Sequence, residues 1–303
     1  MLDTAKRLGN TRSVFNTVKK NYVGWLIMLP SVLLLYYIVW RPIFVGAWQS
    51  LFQLEGYTPV KFVGLKNYVD VITDTVFFTT LKNTFAYVGW SLVFGYLLPV
   101  IAAIMVNEMV HFKEFFKVSM YFPIVIPSVA VSLIWYYLYL PGQDGVLNAV
   151  LSLFGIAPLA WLQDKNLTKM LIVISNVWNS FGATMIMYLA SLQSVNQELY
   201  EAARIDGAGV WQRIKTVLIP HLRPLMMLLF VKQIIGVFQI MEQPLVMTGG
   251  GPNNASISIA LRGYLYAFAH YQMDKAMAVG VITFFILVAV TWVYFILEKK
   301  MEA

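Results

Sequence analysis

The sequence predicts an all-α, polytopic helical membrane protein with six transmembrane helices, and three observations carry that reading. Of 303 residues, 59% are hydrophobic and only 12% charged, and the mean hydropathy is +0.68, values that do not fit an ordinary soluble domain. Cutting the chain at its charged residues leaves uncharged runs of 20 to 28 residues, and about 20 helical residues cross a hydrocarbon core. These runs are continuous rather than alternating, which excludes an outer-membrane barrel.

In chain order, the first span is the run Asn21–Trp40. Five basic residues precede it, as in a signal peptide, but it is too long for an h-region and lacks a small-x-small cleavage site, so it reads as a retained signal anchor. The second, third and fourth spans lie in Asn83–Asn107, Val118–Gln143 and Met170–Gln197, and the sixth in Ala276–Leu297. The fifth, about Leu225–Met247, is as apolar but carries Lys232 and Glu242 within it. Residues 1–22 and 298–303 are then short flanking segments of a membrane domain spanning 23–297.

Six spans put both termini on one side. The loops on that side hold 13 Lys and Arg residues, Lys19, Arg213 and Lys299 among them, against 8 in the opposite loops, including Lys61, Lys165 and Arg262. Positive charge resists translocation, so both termini are cytoplasmic. The net charge of +7 then reflects this bias and an affinity for anionic membrane lipid, and calls for no nucleic acid.

Enzyme chemistry is missing. The chain has no cysteine, and no HExxH, carboxylate pair or activated serine is visible. His111, His221 and His270 have no spacing that lets two share a metal. No glycine precedes a lysine, so there is no P-loop and the chain holds no ATP that way.

The longest cytoplasmic loop, 194–224, is the most informative stretch. Ser194 and Gln197 have capping-box spacing before a helix over Glu198–Asp206. Leu199, Ala202, Ala203 and Asp206 share one face; Glu198, Glu201 and Arg204 lie towards the other. Gly207 and Gly209 sit where the helix should stop. A second helix, Val210–Leu218, is expected to end before Pro220. Two short helices meeting at glycines, with alanines on one surface, suit close docking on another protein, and the same pattern fits an amphipathic hairpin in the lipid headgroups.

Glu201-Ala202-Ala203, then Asp206-Gly207-Ala208, then Val217-Leu218-Ile219-Pro220 resembles the EAA loop of the permeases of binding-protein-dependent ABC importers. Leu29-Pro30, the run Phe62-Val63-Gly64-Leu65-Lys66-Asn67-Tyr68, and Thr248-Gly249-Gly250-Gly251-Pro252 extend the resemblance over nearly the whole chain. The last two are typical of the carbohydrate-uptake branch; Tyr271–Ala278 departs from its usual pattern. The resemblance implies the ABC type I importer permease fold, in the bacterial plasma (inner) membrane. It implies as partners a second, non-identical permease subunit, a cytoplasmic ABC ATPase dimer that carries the ATP and Mg, and an extracellular solute-binding protein, with a sugar as cargo. In such permeases the EAA helix inserts into the ATPase, so Glu201, Ala202, Ala203, Arg204, Asp206, Gly207 and Pro220 become the coupling residues.

Polar groups inside a bundle are costly unless they face a cavity or a partner. The fourth span carries Asn176, Trp178, Asn179 and Ser180, and the fifth Gln233, Gln239 and Glu242. Amides suit sugar hydroxyls and an aromatic face suits the apolar side of a ring. In maltose-type permeases the sugar is held by the same two spans, and Asn176 coincides with an asparagine of that site. These residues serve equally as interhelical hydrogen bonds. Trp135 and its tyrosine neighbours read as an interfacial belt. The runner-up cargo is glycerol phosphate or a related polyol compound, which an arginine cluster in the bundle would favour; none is present. Of the other classes, a secondary transporter has no use for an EAA loop, and a membrane-embedded enzyme lacks its catalytic groups.

Overall fold

Apolar length dictates most of the architecture. The computed structural model describes residues 22–302; the N-terminal basic segment before Tyr22 and the final residue lie outside the described residues. Among the described residues, five helices are long and apolar enough to span a membrane: α1 (Tyr22–Gln49), α3 (Phe77–Glu108), α7 (Thr168–Leu192), α9 (Val210–Phe238) and α12 (Met273–Glu302). Between α1 and α3 lie a hairpin, β1 (Phe52–Glu55) and β2 (Thr58–Phe62), and α2 (Lys66–Ile72). The hairpin was not expected from the sequence. Its register pairs Phe52 with Phe62, and buried Asn67 donates to the Ser50 and Phe52 carbonyls at 2.9 and 2.8 Å, which fixes the Phe62–Tyr68 motif against the end of α1.

The third predicted span is broken. It forms α4 (Lys113–Val125) and α5 (Ser128–Leu138), bent by 100° from each other. The cause is local: Pro127 lacks an N–H and drives the preceding residue out of the helical region, and Ile126 is extended, with ψ 128°. Counted as one span, the bent pair is the sixth.

The fifth span also differs from expectation. The helix expected to stop before Pro220 runs straight on: Val210–Phe238 is continuous, because a wide π turn at Ile214–Leu218, in which the Ile219 N–H reaches the Ile214 carbonyl, makes room for the proline. The span then ends at Phe238, and Glu242 belongs to a separate short helix, α10 (Glu242–Thr248). The remaining elements are α6 (Val146–Leu153), α8 (Gln197–Ile205) and α11 (Ile259–Tyr264).

Three apolar clusters hold the bundle. At the inner end, the one that carries the loop 194–224, Ala103 and Val106 of α3, Met185 and Tyr188 of α7, and Leu218 and Leu222 of α9 meet. Towards the outer end, Tyr87, Ile172, Val177 and Val237 pack together. Phe77, Ile234, Phe238 and Ala278 join α3, α9 and α12. Gly182 is required at one approach: a Cβ there would fall on the Met120 carbonyl and 2.5 Å from the Tyr121 Cα, so only glycine lets α4 lie against α7. By contrast, α1 has no buried residue over Tyr22–Trp40.

Candidate functional site

The loop 194–224 folds around its own hydrogen bonds. Asn196, not Ser194, caps α8: its Oδ1 accepts from the Glu198 N–H at 2.9 Å, while the Ser194 hydroxyl turns back to Ser191 and His221. The C-terminal end is as the glycine pattern implied. Gly207 has φ +79°, and the Ala208 N–H reaches the Ala203 carbonyl at 2.9 Å, closing a left-handed cap. Gly209 is extended and starts α9. Glu201, Ala202 and Asp206 are exposed, Ala203 is half-buried, and the Arg204 side chain lies outside the described residues. Apolar side chains are exposed beside them, Ile205 at 86% and Trp211 at 78%. Pro220 is exposed within α9.

From this loop, α9 runs as one helix into the middle of the bundle, where it lines two adjoining cavities. The inner one, about 230 Å³, is bordered by Gly95 and Tyr96 of α3, Asn176, Ser180 and Thr184 of α7, and Lys232 and Gln233 of α9. The outer one, about 650 Å³, is bordered by Gln239, Glu242, Gln243, Tyr264, Phe268 and one face of α12. Asn176 and Gly236 border both. The arrangement follows from helical spacing, since residues 176, 180 and 184 recur every four and so share a face. Among the described residues, the amides of Asn176, Gln233 and Gln239 make no side-chain hydrogen bond, which leaves their donors and acceptors available. Gln233 lies against Gly95, where a Cβ would sit 2.5 Å from its Nε2.

Asn176, Ser180, Gln233, Gln239 and Glu242 are therefore brought together, and Trp178 and Asn179 are not. Trp178 faces the opposite side of α7, edge-on to Trp135 with centroids 6.0 Å apart, in an apolar cavity of about 550 Å³. Asn179 donates to the Pro123 and Ile126 carbonyls at 2.7 and 3.3 Å, satisfying backbone freed by the break between α4 and α5. Aromatic surface in the outer cavity comes instead from Tyr264 and Phe268, which the sequence reading passed over. Glu242 accepts a hydrogen bond from Ser128, joining the first turns of α10 and α5.

A second group passed over holds the loop between α10 and α11. Thr80, Asn83, Thr84, Tyr87 and Ser91 form a buried polar stripe on α3. Asn83 donates to the Asn254 and Ile257 carbonyls, the Tyr87 hydroxyl to that of Ser256 at 2.7 Å, and Thr84 accepts from the Ile259 N–H. The segment 254–259 that follows the Thr248–Pro252 turn is thus anchored to α3. The spacing of i, i+3, i+4 and i+7 was available in the sequence as a signal. Nearby, Asp74 takes the Arg262 guanidinium and the Tyr266 hydroxyl, with Arg262 4.4 Å above the Tyr266 ring. Burial alone would raise the Asp74 pKa; the Tyr266 hydroxyl, the Val76 N–H and Arg262 outweigh it and hold it below the usual carboxylate value.

Comparison with known proteins gives a consistent set of likenesses. The family model described as the binding-protein-dependent transport system inner membrane component matches residues 95–303. A probable ABC transporter permease protein of Bacillus subtilis, YurN, is 33% identical over 89% of this chain and 93% of its own. The multiple sugar-binding transport system permease protein MsmF of Streptococcus mutans is 32% identical, covering 94% and 98%. The trehalose/maltose transport system permease protein MalF of Thermococcus litoralis is 30% identical, covering 90% and 92%. Among solved structures, a chain of a bacterial ABC transporter that imports the acidic polysaccharide alginate superimposes with a TM-score of 0.84 at 23% identity, covering 96% of this chain and 100% of that one.

Proposed function

The chain belongs to the family of inner membrane components of binding-protein-dependent transport systems, a transport component and not an enzyme, and from that premise we propose that it forms half of the translocation path of an ATP-driven oligosaccharide importer. The observation that carries the proposal is the pair of adjoining cavities at Asn176, joined by one helix to the exposed EAA loop. Free amides with Tyr264 and Phe268 beside them suit a sugar, whose hydroxyls need donors and acceptors and whose ring has an apolar face. Relatives named for trehalose and maltose or for multiple sugars support the same cargo.

The substrate path in this reading consists of Asn176, Ser180, Gln233, Gln239 and Glu242. Coupling falls to α8 and its glycine cap, through Glu201, Ala202, Ala203, Arg204, Asp206 and Gly207, with Pro220 inside α9 just after its π turn. ATP and Mg reside on a separate ATPase dimer, and a solute-binding protein delivers sugar from outside; the alginate system was solved with such a periplasmic protein. A second, non-identical permease subunit completes the path. The six-span domain 23–297 lies with both termini in the cytoplasm of a bacterium.

The test is reconstitution with the ATPase, partner permease and binding protein. Gly207→Pro and Glu201→Lys are expected to leave the complex assembled, yet abolish uptake and binding-protein-stimulated hydrolysis. Wild-type stimulation in both variants would remove the coupling role.

A further inference from the structure

At the cytoplasmic end of the bundle three helices meet at side chains that the proposed function leaves unused. Glu108 is the last residue of α3, and its Oε1 accepts a hydrogen bond from the Tyr200 hydroxyl at 2.7 Å. Arg213, in the first turn of α9, places its guanidinium 4.8 Å from the centroid of the Tyr200 ring. Tyr200 directly precedes Glu201 and is half-buried on a helix whose other described side chains are mostly exposed; through it α8 touches the inner apolar cluster. A cavity of about 450 Å³, bordered by Glu108, Lys113, Glu201 and Arg213, surrounds this contact.

Besides residues 193–196, which join it to α7, two routes lead from α8 to the spans. The covalent route passes through Gly207, Ala208 and Gly209, and two glycines in three residues make a compliant joint. A push on α8 is dissipated there unless something stiffer holds the helix to the bundle. The second route is the Tyr200 side chain. A phenol has two rotatable torsions, and here one end is fixed by a hydrogen bond to a carboxylate and its face by a cation. It also reaches α3, which the covalent route does not.

We propose that Tyr200, held by Glu108 and Arg213, is the positioning residue through which movement of α8 passes to the inner ends of α3 and α9 together. The inference rests on the reading of α8 as the ATPase-coupling helix. Its consequence is specific: loss of the Tyr200–Glu108 hydrogen bond uncouples hydrolysis from transport without detaching the ATPase.

The experiment uses the complete importer in proteoliposomes with its binding protein and sugar, and reads sugar transported per ATP hydrolysed at equal amounts of assembled complex. Tyr200→Phe keeps the ring over which Arg213 lies and removes only the hydroxyl; Glu108→Ala removes the acceptor. A hydrogen bond to a charged group is worth roughly a factor of ten or more, so each variant is expected to lower the ratio about 3- to 10-fold. The double variant should be no worse than either single one, because both remove the same bond. Glu108→Gln, whose amide oxygen still accepts, should recover most of the ratio. A wild-type ratio in Tyr200→Phe and Glu108→Ala, additive losses in the double variant, or losses that merely follow reduced assembly would each overturn the proposal. Gly207→Pro in the same preparation separates the two readings: if it too behaves as wild type, the coupling role of α8 has failed; if it alone is inactive, only the Tyr200 joint has.

Discussion

Asn176 and Asn179 lie three residues apart on one helix, and the structure predicts opposite consequences for their loss. Asn179→Ala removes two donors, at 2.7 and 3.3 Å, from the Pro123 and Ile126 carbonyls. No water in the bilayer core replaces them. Interhelical hydrogen bonds in membranes average about 0.6 kcal/mol and reach about 1.7, so the pair contributes about 1–2 kcal/mol, or a 5- to 30-fold shift towards the unfolded chain. Asn176→Ala removes an amide with no side-chain partner among the described residues and should leave stability within about 0.5 kcal/mol. In the proposed path it instead deprives a bound sugar of a hydrogen bond, for which about 1–3 kcal/mol, roughly 5- to 150-fold in affinity, is expected. The assay is two measurements on each variant: complex surviving a heating series, followed by gel filtration, and uptake per assembled complex. Asn179→Ala should fail the first and largely pass the second; Asn176→Ala should do the reverse. If Asn179→Ala survived heating like wild type while losing uptake, the assignment of the two faces of α7 would be wrong.

The remaining predictions concern packing, the outer clamp and orientation. Gly182→Ala forces α4 from α7, since its Cβ would lie 2.5 Å from the Tyr121 Cα; overpacking of this kind costs about 1–3 kcal/mol or more, and assembled complex should fall sharply, whereas Gly280→Ala, with nothing within 4 Å of its Cβ, should assemble normally. The Asp74 pKa is lowered on folding, so the stabilisation it provides is present in full above the unfolded value of about 3.8 and lost as pH falls through the lower folded value. The difference in thermal midpoint between wild type and Asp74→Asn should therefore be constant from pH 8 to about 5 and shrink only below about 4; a difference that vanished near pH 6 would contradict the clamp. Single cysteines are clean probes in a chain without any: in intact cells an impermeant thiol reagent should reach positions 61 and 165 and not 213, and the reverse pattern would invert the orientation.

What the sequence could and could not convey follows from the range of each interaction. Span existence was legible because apolar length is a sum over some 20 residues and survives a few exceptions. The Gly207 cap was legible because a left-handed residue is a local demand that only a few side chains meet. Direction around a helix was legible for Asn176 and Ser180, which share a face by period alone, but nothing in the period says which face meets a cavity; that is set by α9 and α12, over 50 and 100 residues away. Hence Trp178 was grouped with residues it turns its back on. The two broken spans make the same point about charge. In the sequence Glu242 reads as a polar residue inside a continuous fifth span, yet it sits in the first turn of α10, where a carboxylate is favoured by the helix dipole. Its hydrogen-bond partner is Ser128, in the first turn of α5 just after Pro127. That bond ties the starts of the two short helices together, and α10 packs against α5. A charge and a proline, each unfavourable in a continuous span, become mutually consistent when both spans break at the same place, and that break opens the outer cavity beside Asn176.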